Sequence, residues 1–123
     1  MNPNPQSVSR PRENPCYGSD QTVAALNVIT DDERSHLLPY AQFLYAEMSP
    51  NPALEKDINA PTEHLRICFA TAEVVVLGRG LKSVEWALQR YELRFLKAAD
   101  RRYLSALKSH ICGISINPSK EVQ

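Results

Sequence analysis

The chain has 123 residues, 43% of them hydrophobic, and balances 14 basic against 14 acidic side chains. That length supports one domain with an adequate but modest core. No apolar run approaches the roughly 18 residues of a membrane span, and the first residues lack the basic and apolar regions of a secretory signal, so a cytoplasmic location and no membrane partner are expected.

The three cysteines, Cys16, Cys68 and Cys112, are odd in number and form no Cys-x-x-Cys pair, which argues against a disulfide scaffold. Charge is unevenly spread. Residues 1–63 carry four basic groups against nine acidic ones, and residues 79–123 carry nine against four. Such asymmetry marks either a nucleic-acid surface or two halves that attract each other, within one chain or between subunits. The second reading is favoured, and no run of five or six like charges forms a basic arm.

Residues 1–22 are rich in Pro, Asn and Ser and bury too little apolar area to offset ordering entropy, so they read as a flexible tail. Cys16 and Tyr17 are its natural anchors. Residues 23–29 fit a short strand or a helix. Thr30-Asp31-Asp32-Glu33 has the form of a capping box, with acids suited to the positive end of a helix dipole. One or two helices are therefore expected over residues 31–48, interrupted at Pro39. Tyr40, Phe43, Leu44 and Met48 follow at helical spacing, and residues 49–63 read as a long connection.

From residue 64 the pattern changes. Leu65, Ile67 and Phe69 alternate with Arg66, Cys68 and Ala70, as in a half-buried strand. Residues 74–77 are a continuous apolar run, as in a strand covered on both sides. Only Ala70, Thr71 and Ala72 lie between them, which predicts a tight hairpin. Leu81, Val84, Leu88 and Tyr91 form a helical stripe, and Leu93 and Phe95 alternate as a third strand. Residues 100–109 read as a second helix and residues 111–116 as a last strand. The expected fold is α+β: a small mixed sheet, β-β-α-β-α-β over residues 64–116, with helices mainly on one face and one or two N-terminal helices before it. The domain spans residues 23–116, followed by a C-terminal tail over 117–123.

Three constellations bear on chemistry. Gly78-Arg79-Gly80 lies between a strand and a helix, where backbone N–H groups attract anions and Arg79 and Lys82 add charge. The dinucleotide fingerprint needs a third glycine where Ser83 stands, and the Gly-Lys-Ser/Thr of a P-loop is absent. The favoured reading is architectural: Gly78 takes positive φ to end the strand, and Gly80 eases entry to the helix. His64, Cys68, His110 and Cys112 are zinc-type ligands. Along a strand, however, His64 and Cys68 stand about 13 Å apart, so no metal and no cofactor are expected. Arg90, Arg94, Arg101 and Arg102 interleave with Tyr91, Phe95 and Tyr103 as on nucleic-acid surfaces, but those aromatics fall on the expected core faces. No nucleophile elbow is present.

The leading expectation is a non-enzymatic interaction or assembly module, homo-oligomeric through Tyr40, Phe43, Leu44, Tyr45 and Met48. Together these carry more apolar surface than one small helix needs for docking. The alternatives are a nucleic-acid or polyanion binder using the basic half, and a small enzyme with its site at the 78–80 corner.

Overall fold

The computed structural model describes residues 15–19, 21–56, 60–98 and 110–118. Strand accounts for 56% of them, in two sheets of four strands each, and only one helix among them reaches seven residues. The first sheet runs β1 (Tyr17–Ser19), β7 (Leu93–Lys97), β2 (Ala25–Ile29), β3 (Ser35–Pro39). Its β2–β7 pair is parallel and the others antiparallel. The second runs β4 (Phe43–Pro50), β5 (Glu63–Phe69), β6 (Ala72–Arg79), β8 (His110–Pro118), antiparallel throughout. Helix α1 (Lys82–Gln89) leads from β6 in the second sheet to β7 in the first.

The core follows from period-two alternation. Leu26 and Val28 of β2 are buried with Leu38 of β3, and Leu65, Ile67, Val74 and Val76 line the inner face of the second sheet. Val84, Ala87 and Leu88 of α1 join them in one cluster shared by both sheets. Burying each such aliphatic side chain contributes about 1.5 to 3 kcal/mol before entropy is counted.

The expected α+β fold with N-terminal helices is overturned. The four residue stretches read as one mixed sheet are divided, with β5, β6 and β8 in one sheet and β7 in the other. Residues 31–48 form no α-helix: they make β3, a single 3-10 turn at Tyr40–Gln42, and β4. The supposed capping box is hairpin chemistry. Thr30 N–H donates to the Arg34 carbonyl at 2.9 Å, and Glu33 N–H donates to the Thr30 carbonyl at 2.9 Å. Glu33 takes φ of 65°, as the last residue of a three-residue loop requires. The Thr30 hydroxyl donates to Asp32, a turn-forming bond for which Ser, Thr and Asp are suited as well as for helix caps. That bond first, and Arg34 after it, hold the Asp32 carboxyl below its ordinary range.

The helical spacing of Tyr40, Phe43, Leu44 and Met48 has a separate cause. Tyr40 lies in the 3-10 turn that carries the chain from one sheet to the other. The β4–β5 register then shifts between Phe43 and Tyr45. A turn followed by a bulge resets the alternation twice and imitates a period near four. At the other end of the chain, Tyr17–Ser19 of the segment read as a tail is strand. Cys16 beside it is fully buried, with the Ile111 N–H donating to its sulfur at 3.2 Å. The helix expected over residues 100–109 lies outside the described residues.

Candidate interaction edge

β4 is an edge strand of the second sheet, and nothing among the described residues pairs with its far side. Its phase is fixed by one bond. Asn51 N–H donates to the Thr62 carbonyl at 3.1 Å, continuing the register in which Pro50 faces Glu63. In an antiparallel ladder alternate residues turn their backbone groups toward the partner. Ser49, Glu47 and Tyr45 therefore face β5, while Met48 and Ala46 direct N–H and C=O outward. Pro50, at the next outward position, has no N–H to offer. Edges of this kind are ready templates for another strand, and this one runs eight residues with Glu47 as its only charge.

The side chains around the edge are apolar and exposed. Leu44 is 56% and Tyr45 48% accessible. Tyr45 and Ala46 point to opposite faces of the sheet, yet both line one groove of about 460 Å³ that runs between β4 and the C-terminal end of α1. Neighbours on a strand share a groove only where the groove borders the strand's edge. Phe43 completes its strand side, and Leu88 and Tyr91 form the helix side together with Glu85, Gln89 and Arg90.

The floor beneath this groove is aromatic. Tyr91 stacks on Tyr40 with ring centres 4.9 Å apart and planes 20° apart, and meets Phe43 edge-on at 6.3 Å. Phe43 in turn meets Phe69 at 5.7 Å. Tyr40 is buried and its hydroxyl donates to the Leu93 carbonyl at 2.7 Å, which ties the aromatic floor to the first sheet. Burial pushes the Tyr40 hydroxyl above its ordinary range. Tyr91 ends the helix at φ of 59°, a conformation uncommon outside glycine.

On the exposed face of the same edge, Arg66 is the hub. Its guanidinium donates to Glu73 at 2.9 Å, to the Tyr45 hydroxyl at 2.7 Å and to Glu47 at 3.3 Å. It also lies 5.7 Å from the Tyr45 ring centre. The Glu73 bond foremost raises the Arg66 pKa, and Tyr45 is raised first by its hydrogen bond with Cys68. With Arg66 and Glu73 each about a third exposed, solvent screening leaves the ion pair little weight in stability. Its larger effect is to hold Tyr45 and Glu47 in place along the edge.

The interface residues expected from sequence thus divide. Leu44 and Tyr45 are exposed along β4, Phe43 and Met48 are half-buried there, and Tyr40 belongs to the core. The 78–80 corner is filled by the protein itself. The Glu63 carboxylate accepts from the Leu81 N–H at 2.7 Å, at the start of α1. Arg79 donates to the Ala60 carbonyl at 3.1 Å. Positive φ falls on Gly80, at 62°, and not on Gly78. Gly78 is required for a different reason: a Cβ there would stand 2.2 Å from the His110 carbonyl oxygen, where the β6–β8 register shifts. Lys82 is the first residue of α1.

Arg90 pairs with Glu92 at 3.3 Å and lies over the Trp86 ring, and Arg94 lies over Phe95. Arg101 and Arg102 lie outside the described residues. Among the described residues no three His, Cys, Asp or Glu side chains gather as a metal would need, and no helix is long and apolar enough to cross a membrane. The Glu63 contact and the open edge of β4 escaped the sequence, since both depend on strand order and on partners far along the chain. No family model matches the chain, and no curated protein and no solved structure is significantly similar to it.

Proposed function

We propose that this protein is an interaction and assembly module that forms homo-oligomers through the open edge of β4. One observation carries the reading: Ala46 and Met48 direct their backbone groups away from β5, beside exposed Leu44 and Tyr45, along a groove with an aromatic floor. Strand addition supplies backbone hydrogen bonds for affinity and side-chain pockets for selectivity. Each backbone bond is worth about 0.5 to 1.5 kcal/mol net, so affinity also needs the apolar contact that Leu44, Tyr45 and the groove provide.

Ala46→Pro is the direct test. It removes an N–H that makes no bond to β5, so the fold is retained, as prolines are tolerated on outward edge positions. Light scattering of the unsubstituted chain gives a mass at or above twice 13.8 kDa, and Ala46→Pro returns it to the monomer value with an unchanged circular dichroism spectrum. An unsubstituted chain that stays monomeric at high concentration refutes the reading.

A further inference from the structure

We infer that the occupant of the β4 edge is β4 of a second copy of this chain, antiparallel, with a two-fold axis at Ala46. This rests on the assembly reading above and adds the partner strand and its register. A strand added at this edge must set its own outward-facing backbone groups against those of Ala46 and Met48. For a second copy, that means even-numbered residues opposite even-numbered ones.

Two such registers give the longest overlap. One places Ala46 opposite Ala46 and spans residues 43–49, with the bulge between Phe43 and Tyr45 at its ends; the other places Glu47 opposite Glu47 and spans residues 44–50. The second brings two carboxylates face to face on the exposed side, a destabilising arrangement for directly opposed residues. It also sets Pro50, with no N–H, inside the paired stretch. The first leaves Pro50 outside that stretch and places Glu47 opposite Tyr45 of the second copy. The Tyr45 hydroxyl is held by Arg66 at 2.7 Å, so each Glu47 approaches the guanidinium of the other copy. Arg66, which already pairs with Glu73 and Glu47 of its own chain, then gains the second copy's Glu47 as a further acceptor, and the contact is the same in both directions, as a two-fold axis demands of a single surface. The same register brings Met48 of the second copy alongside exposed Leu44, at the bulge that ends the regular part of the strand.

Cross-linking reads the register directly. Opposed residues of the non-hydrogen-bonded kind stand about 4.5 Å apart at Cα, within disulfide range. In a background of Cys68→Ser and Cys112→Ser, chains carrying Tyr45→Cys are mixed with chains carrying Glu47→Cys and oxidised. The mixture is expected to give a covalent species of twice 13.8 kDa, and Glu47→Cys alone to give none. Efficient cross-linking of Glu47→Cys with itself overturns the register while leaving assembly at β4 intact. A non-covalent dimer without cross-links in any mixture overturns the inferred partner strand. A monomeric unsubstituted chain overturns the assembly reading with it. Glu47→Gln in the otherwise unchanged chain is a second measurement that asks nothing of engineered cysteines. It is expected to weaken association severalfold by removing the carboxylate that approaches Arg66. Tighter association would mean relieved repulsion between facing carboxylates and would also overturn the register.

Discussion

Tyr91 gives the sharpest test of the local physics at the groove, because two substitutions there should reverse their usual order. Its φ of 59° places a side-chain-bearing residue in the left-handed region, at a cost of about 1 to 2 kcal/mol relative to ordinary helical backbone. The cost is offset by its ring, which stacks on Tyr40 at 4.9 Å and meets Phe43 edge-on at 6.3 Å. Aromatic pairs of this kind are worth about 0.5 to 1.5 kcal/mol each beyond area burial. Tyr91→Ala removes both ring contacts and keeps the backbone cost, so it should destabilise by about 2 kcal/mol. Tyr91→Gly removes the same contacts but relieves the backbone, and should be the more stable of the two by about 1 kcal/mol. In a helix interior glycine would instead be the worse choice by a similar amount. For a chain of this size 1 kcal/mol corresponds to a shift of about 3 to 5 °C in Tm, readable by thermal or urea unfolding followed by circular dichroism. If Tyr91→Ala equals or exceeds Tyr91→Gly in stability, the left-handed cap is not the adopted conformation and the account of the groove wall fails.

Other substitutions probe the frame around the edge. Gly78→Ala drives a Cβ to 2.2 Å from the His110 carbonyl oxygen, so β8 must move, and a loss of about 3 kcal/mol in urea unfolding is expected; Gly80→Ala, which puts a Cβ on a residue at φ of 62°, should lose about 1 kcal/mol. Glu63→Ala frees the Leu81 N–H at the start of α1 and should lower stability by about 1 to 2 kcal/mol, with Glu63→Gln losing less because its amide oxygen still accepts. Asp32, held below its ordinary range by the Thr30 hydroxyl, should titrate by NMR below the usual 3.8, and Thr30→Val should move the midpoint back up. Because that folded-state pKa is depressed, the contribution of Asp32 is present above the unfolded value and is lost as pH falls through the folded one.

Legibility in the sequence tracked how local each cause was. The β5–β6 hairpin and α1 were readable because Leu65, Ile67 and Phe69 alternate and because Leu81, Val84 and Leu88 share one stripe. The stretch from Thr30 to Met48 misled, since a turn at Asp31–Asp32–Glu33 uses the same residue types as a helix cap, and the bulge near Leu44 gives strand residues a helical spacing. The chemistry of Leu44 and Tyr45 as contact residues was visible, but their element was not. Nothing local marks Glu63 as the partner of Leu81, and nothing local shows that β4 lies at a sheet edge, because strand order is set by contacts far along the chain.

If a second chain binds on the outward side of β4, the backbone N–H groups on that side lose contact with solvent as chains associate. Amide hydrogen exchange at β4, measured by NMR across a dilution series, addresses it residue by residue. The N–H groups of Tyr45, Glu47 and Ser49 face β5 and should exchange at rates independent of protein concentration. Those of Ala46 and Met48 should exchange fast when dilute and become protected as concentration rises. Fast exchange at Ala46 and Met48 at every concentration, in a chain that nonetheless associates, would place the contact elsewhere and contradict the account.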